Sequence, residues 1–148
     1  MAPFKMTVDT ELHASLCKYS SGTVEVKAHE YLFRQGEDSR GCYLVKRGTL
    51  HLFMESSSGK RILGREVGEG CIVGLPATIN GHPLSLTCRI VEDAELALLS
   101  RGDLTELMRN DVSAAMKILD LLSTEVQSTR RQVAKYARPA KSVAKPGS

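Results

Sequence analysis

The most constraining part of this chain of 148 residues is a stretch punctuated by glycines, from Gly68 to Val91. Residues 71–73 form a short apolar run, and Gly74 interrupts it. Pro76 follows where a first helical turn would begin, a position that suits proline because its missing N–H would be unpaired there anyway. Asn80-Gly81 is a strong turn signal. The stretch is therefore predicted to fold as a strand, a short helix, a turn and a second strand.

The residues after this turn alternate between the two faces of a strand. One face carries the apolar residues Leu84, Leu86, Cys88 and Ile90, and the other carries Ser85, Thr87, Arg89 and Val91. A short helix whose N-terminus faces a sheet favours anions, because its N–H groups and dipole point outward. The sequence therefore predicts an anion site where the helix meets the strand.

Short strands separated by glycine turns fill much of the remaining chain. The alternating segments are residues 23–27, 31–34, 42–46, 49–55, 61–67 and 95–99. Arg47-Gly48 is predicted to be a tight hairpin turn between two of them. Many short antiparallel strands of this kind are typical of a barrel-like sandwich. Helices are predicted over residues 10–19, capped by Asp9, and over residues 101–109.

An apolar seam runs along a last predicted helix, which is capped by Asn110 or Asp111 and reaches about residue 137. The seam residues are spaced alternately three and four apart, as in a coiled coil: Val112, Ala115, Leu119, Leu122, Val126, Thr129, Val133 and Tyr136. Ile118 and Leu121 widen the apolar face only in the first half. The narrow second half predicts a parallel homodimer, and the alternative is a helix that packs on its own barrel.

The ordered set of motifs resembles the cyclic-nucleotide-binding domain of the CRP/FNR family of bacterial regulators. The similarity covers roughly residues 23–137 and includes the strand and turn at 31–36 and the strand at 42–48. The positions that match the family's phosphate-binding cassette are Gly70, Gly74, Ala77, Pro83 and Ser85. The resemblance implies a mainly β fold with flanking helices, a double-stranded β-helix (jelly roll) followed by a long C-terminal dimerisation helix.

The domain is expected to span residues 1–137, and residues 138–148 form a basic tail without acidic residues that is predicted to be disordered. The resemblance places an effector pocket at the cassette, lined by Gly74, Leu75, Pro76, Ala77, Leu84, Ser85 and Arg89. It also places three polar residues of the long helix near that pocket: Thr124, Ser128 and Thr129. These polar residues are open to a second interpretation, as seam positions that relax the packing of the dimer.

Two positions depart from the family pattern. Leu75 stands where the family has a glutamate that accepts a ribose hydroxyl, and Leu84 stands where it has an arginine that pairs with the cyclic phosphate. Because a charge-assisted hydrogen bond is worth about 1.5–3 kcal/mol, cAMP and cGMP are predicted to bind weakly or not at all. Arg89 shares strand parity with Ser85 and is a candidate substitute for the missing arginine.

The sequence and the resemblance together predict a regulatory, effector-sensing domain that works as a homodimer. The alternative is a ligand-free dimerisation or interaction module whose pocket is filled by its own leucines. No DNA binding is expected from this chain, because only the short tail follows the long helix. A cytoplasmic location is expected, since no apolar run reaches the roughly 20 residues that cross a bilayer.

An enzyme is not expected, because no nucleophile–base pair or carboxylate pair can be placed across a cleft. A cupin-like metalloenzyme would need a set of histidines and carboxylates that the chain lacks. The histidines at 13, 29, 51 and 82 share no metal-ligand spacing, and no metal or cofactor is expected. Cys42, Cys71 and Cys88 lie in apolar runs as small hydrophobic residues, whereas Cys17 is the best candidate for an exposed thiol.

Overall fold

The computed structural model describes residues 7–136, with side chains described up to residue 124. Its helices are α1 (Thr10–Tyr19), α2 (Leu75–Asn80), α3 (Arg101–Asn110) and α4 (Val112–Tyr136). Its strands are β1 (Gly22–Val26), β2 (Tyr31–Phe33), β3 (Cys42–Glu55), β4 (Arg61–Val67), β5 (Ile72–Val73) and β6 (Thr87–Leu99).

All the strand pairs of the described chain are antiparallel. The sheet has the order β1-β6-β3-β4, while β2 pairs with β6 and β5 pairs with β3. The two longest strands, β3 and β6, pair along most of their length, from Cys42 opposite Leu99 to Phe53 opposite Thr87. This arrangement confirms the prediction of a mainly β fold with flanking helices.

The predicted hairpin turn at Arg47-Gly48 is wrong, because residues 42–55 form one continuous strand, β3. Gly48 has a φ of +107°, and a Cβ there would lie 2.6 Å from Ala94 Cα and 2.6 Å from Asp93 O. The pairing of β3 with β6 shifts register on both sides of Arg47. The glycine therefore marks an irregularity where two strands approach closely, and not a turn.

The predicted boundaries of the strands after α2 are also wrong. Residues 84–91 and 95–99 were expected to form two strands, but residues 87–99 form one strand and residues 84–86 lie outside it. The predicted alternation still holds, since Leu84, Leu86, Cys88 and Ile90 are all buried.

Two apolar clusters make up the core, one on each side of the sheet. Strand β3 supplies both, because Tyr43 and Val45 point one way and Cys42 and Leu44 point the other. The inner cluster contains Phe33, Tyr43, Val45, Leu50, Leu52, Val67, Cys71, Val73, Ala77, Leu84, Leu86, Cys88, Ile90, Ala94 and Leu96. The helix cluster contains Val8, Leu12, Leu16, Cys42, Leu44, Ile72, Leu75, Ala97, Leu99, Leu104, Leu107, Ala114 and Ile118.

Capping side chains fix where three helices begin. Asp9 accepts a hydrogen bond from Leu12 N at 2.8 Å, and Asp111 accepts one from Ala114 N at 3.0 Å, as the sequence predicts. Ser100 and Asp103 form a reciprocal capping box at α3. These caps satisfy N–H groups that have no partner within the helix.

Helix α4 runs from Val112 to Tyr136. Its first half packs on the helix cluster through Ala114 and Ile118. The predicted seam residues Val126, Thr129, Val133 and Tyr136 lie beyond the described side chains, as does Ser128, and the predicted tail at 138–148 lies outside the described residues.

Candidate functional site

A small cavity lies where the cassette meets the inner face of the sheet. Its volume is about 30 Å³, which is room for a water molecule but far less than the ~150 Å³ of a cavity that binds benzene. It is lined by Phe33, Leu52, Arg65, Ile72, Val73, Gly74, Pro76, Ala77, Leu84, Ser85 and Leu86. The lining is largely apolar, and Arg65 and Ser85 supply its polar side chains.

Helix α2 forms one wall of this cavity, and glycines set both of its ends. Gly74 precedes it with a φ of +81°, and Gly81 ends it with a φ of +73° and an N–H that donates to Ala77 O at 2.8 Å. Thr78 Oγ1 donates to Gly74 O at 2.8 Å, and Pro76 occupies the first turn. The predicted sequence of strand, short helix and turn is therefore present.

Residues 84–86 form the wall opposite α2, and the loop after β2 holds them in place. Leu84 N donates to Glu37 O at 2.8 Å, and Gly36 N donates to Leu84 O at 2.7 Å. Leu84 and Leu86 are buried while Ser85 between them is exposed. These residues therefore close the cavity with two leucines and leave the Ser85 hydroxyl open to solvent.

Arg65 reaches the cavity from strand β4, where it pairs with Leu52 of β3. Its Nε and Nη2 atoms are buried. The sequence analysis did not single this residue out, although the sequence carries a signal: Arg65 shares strand parity with Leu63 and Val67, which are both buried. The structure thus places a cation beside the cassette that is supplied by a strand.

The structure brings together Gly74, Pro76, Ala77, Leu84 and Ser85 of the predicted pocket. The other predicted residues lie elsewhere.

Leu75 is fully buried in the helix cluster and does not line the cavity. Arg89 Nη2 lies 3.3 Å from His29 Nδ1, and Arg89 is likewise absent from the lining. Thr124 is exposed and borders a separate cavity of about 260 Å³ beside Asp9 and Lys117.

An exposed apolar stripe runs along the described part of α4. Val112 is 73% exposed, Met116 58% and Leu119 47%. Ala115 and Leu122 of the predicted seam are half-buried, and Leu122 packs against the helix cluster. Met116 was not among the predicted seam residues, although it lies one turn after Val112. The stripe is the surface of α4 that the described residues of the chain leave uncovered.

Cys17 is half-buried, as the one cysteine of the described residues outside the core, and its Sγ lies 3.7 Å from His13 Nδ1. Among residues 7–124 no three His, Cys, Asp or Glu side chains come together as a metal site. Cys42, Cys71 and Cys88 are buried, and burial raises the pKa of the Cys88 thiol to about 12. No helix in the described part of the chain has the length and apolarity to cross a membrane.

The sequence of residues 23–111 matches the family model described as cyclic nucleotide-binding domain. The chain belongs to the cyclic nucleotide-binding domain family. The resemblance expected from the cassette motifs is thus confirmed.

Known proteins similar to this domain differ widely in architecture. Human (Homo sapiens) patatin-like phospholipase domain-containing protein 6 is 32% identical over 108 residues, which cover 73% of this chain and 8% of that protein. Among solved structures, the Catabolite Activator Protein of Thermus thermophilus superposes with a TM-score of 0.76 at 22% identity, over 87% of this chain and 60% of that one. Oxidized CprK in complex with o-chlorophenolacetic acid superposes with a TM-score of 0.70 at 16% identity. The superposition covers 88% of this chain and 53% of that one. The structural similarities show the shared fold.

Proposed function

We propose that this domain is a regulatory module that senses a small amphipathic anion and not a cyclic nucleotide. The observation that carries the proposal is the lining of the cassette cavity, which combines one guanidinium and one hydroxyl with otherwise apolar groups. Such a lining complements a ligand with one anionic group and an apolar body. The regulatory role follows from membership in the cyclic nucleotide-binding domain family.

A cyclic nucleotide is a poor match for this lining. Its ribose, purine and phosphate carry many polar groups, and each one that is buried without a partner costs about 1–3 kcal/mol. Leu84 adds apolar surface where the family arginine would pair with the phosphate, and Leu75 is buried in the helix cluster. The cavity therefore has neither a charge from position 84 nor a carboxylate acceptor from position 75, and its one formal charge among the described residues comes from Arg65 on β4.

A structural neighbour supports the class of ligand. The structure of CprK contains o-chlorophenolacetic acid, in which an aromatic ring carries a carboxylic acid group. A ligand of that size exceeds the present cavity of about 30 Å³, so the cavity must widen to admit it. Residues 84–86 lie outside the strands and helices, so widening the cavity there requires the hydrogen bonds between Leu84 and the loop after β2 to shift.

We also propose that residues 7–136 act as a homodimer through α4. The support is the exposed stripe of Val112, Met116 and Leu119 together with the heptad spacing of the sequence. Two stripes packed together would remove three large apolar side chains of each chain from water. Ligand-dependent movement near the cassette would then bias how the two helices pack.

A second candidate function is a ligand-free interaction module, and the small volume of the cavity favours it. In that case Leu84 and Leu86 fill the pocket permanently, and α4 is the surface through which the module interacts. The two functions differ in a simple respect, because only the first requires the cavity to open for an anion.

Titration calorimetry with phenylacetate and with its neutral counterpart phenylacetamide tests the proposal. We expect phenylacetate to bind and the amide to bind at least about tenfold more weakly, because only the anion gains a charge-assisted bond. Absence of phenylacetate binding up to millimolar concentration would contradict the proposal and favour the ligand-free module.

A further inference from the structure

We infer that Arg65 is the residue that anchors the anion in this cavity and thereby replaces the family arginine missing at Leu84. The inference rests on the proposed function, since it assigns a residue to the ligand-binding step of the same site. It differs from the sequence-based candidate Arg89, which lies beside His29 and does not line the cavity.

The position of Arg65 is the first argument. Arg65 and Leu84 line the same cavity, although one lies on β4 and the other on the segment after α2. A guanidinium that enters from the strand can therefore meet a ligand group placed between the cassette and the sheet. The backbone of β4 is held by its pairing with β3, and this pairing fixes the position of the Arg65 Cα atom.

The burial of the guanidinium is the second argument. The Nε and Nη2 atoms of Arg65 are shielded from solvent, and Arg65 makes a further interaction within the chain. A positioned, buried guanidinium loses little conformational freedom when a ligand arrives, and charge–charge attraction is stronger there than at the surface. Arg61, the other arginine of this strand, is exposed and lacks this advantage.

The charge distribution of the wall is the third argument. Of the described residues that line the cavity, Arg65 is the only one with a formal charge, and the Ser85 hydroxyl is the other polar side chain. The rest of the lining is apolar. Selectivity for an anion over its neutral isostere would therefore depend on this one side chain.

The shape of the guanidinium favours a carboxylate as the anionic group. Its planar fork donates two parallel hydrogen bonds to the two oxygens of a carboxylate, whereas an ammonium group acts as a point charge. Leu84 and Leu86 then contact the apolar body of the ligand. The anchored ligand is thus a small apolar carboxylate, bound with its charged end toward β4.

Calorimetry on three variants of the full chain tests the assignment, with phenylacetate and phenylacetamide as probes. R65Q removes the charge, and R65K keeps the charge without the fork. R61Q is the matched control, because Arg61 lies on the same strand, is exposed and has its guanidinium over the ring of Phe53. Thermal unfolding of each variant establishes that it folds.

We expect R65Q to bind phenylacetate at least about tenfold more weakly than the unmutated protein, and no more tightly than it binds the amide. The affinity of R65K for phenylacetate should lie between those of R65Q and the unmutated protein. R61Q should bind phenylacetate as tightly as the unmutated protein does. A merely structural role for Arg65 would weaken both probes equally and leave the preference for the anion intact.

Two results would overturn the inference, and they are distinguishable. If the unmutated protein and R65Q bind phenylacetate equally well, Arg65 is not the anchor, although the proposed function stands. If the unmutated protein binds neither probe, the proposed function fails and the inference fails with it. Should R65Q not fold, an R65K variant with unchanged affinity and unchanged preference for the anion would also reject the assignment.

Discussion

At the scale of single residues, Leu75 and Leu84 show how two substitutions in one cassette have different structural consequences. Leu84 lines the cavity, whereas Leu75 is fully buried in the helix cluster on the other side of the sheet. An arginine at 84 would thus enter the ligand site, but a glutamate at 75 would place a carboxylate in an apolar cluster. Restoring the family pair in this protein therefore carries a cost in stability at position 75.

Gly48 provides the sharpest prediction at this scale. Replacement by alanine would force a Cβ to within 2.6 Å of Ala94 Cα and Asp93 O, at a φ of +107° that side chains rarely adopt. We expect Gly48→Ala to lower the free energy of unfolding by at least about 2 kcal/mol, since strain and steric overlap act together. Urea unfolding followed by circular dichroism measures the loss.

Gly59 is the matched control for this measurement. Its φ is +86°, but a Cβ there would meet no atom within 4 Å. Gly59→Ala should therefore cost only the backbone strain, about 1 kcal/mol. Equal losses for the two variants would show that the close approach of β3 and β6 at Gly48 does not matter.

The roles of these residues differ in how well the sequence predicts them. The cassette glycines and Pro76 were predictable because their roles depend on local backbone geometry. Gly48 was misread as a turn, since a glycine needed for close approach to a distant strand looks the same in sequence as one needed for a turn. Arg65 was missed because an inward-facing arginine is unusual and only its parity with Leu63 and Val67 reveals it.

At the scale of elements, helix α4 combines two tasks on different faces. Ala114 and Ile118 are buried in the helix cluster, while Val112, Met116 and Leu119 are exposed. The exposed residues are spaced four and three apart, so they lie along one line on the helix surface. An amphipathic helix that covers its own core needs only the first of these faces.

The exposed stripe predicts the outcome of a charge substitution. Leu119→Asp would place a carboxylate in the proposed interface, where an unpaired buried charge costs about 3–5 kcal/mol. We expect the dissociation constant of the dimer to rise by about two orders of magnitude or more. Light scattering coupled to size-exclusion chromatography measures the mass across a dilution series.

Ser113→Asp is the control, because Ser113 is exposed on α4 but points away from the stripe. This variant should stay dimeric at the same concentrations. A monomeric mass for the unmutated protein at high micromolar concentration would contradict the proposed dimer.

The existence of most elements could be predicted from sequence, because period-two and heptad patterns are local. Their continuity could not, since β3 and β6 are each one strand where the pattern indicated two. Long paired strands tolerate register shifts that interrupt the alternation, as at Arg47 in β3. The sheet, and not the local sequence, decides where such strands end.

At the scale of the whole molecule, the domain has the fold of its family, and the proposed function assigns its pocket a different class of ligand. Two apolar clusters separated by the sheet stabilise the fold, and the leucines at positions 84 and 75 each belong to one of them. Helix α2 joins the two, because Leu75 belongs to one cluster and Ala77 to the other. A change in ligand is therefore possible without a change in architecture.

A calorimetric titration of the unmutated protein with cAMP and with cGMP tests whether the cavity discriminates against cyclic nucleotides. Leu84 provides no charge for the phosphate, and a cavity of about 30 Å³ lined mostly by apolar groups offers few partners for a ribose. The account predicts dissociation constants no tighter than about 100 μM for either nucleotide, if any heat is detected. A dissociation constant below about 1 μM for either nucleotide would contradict it.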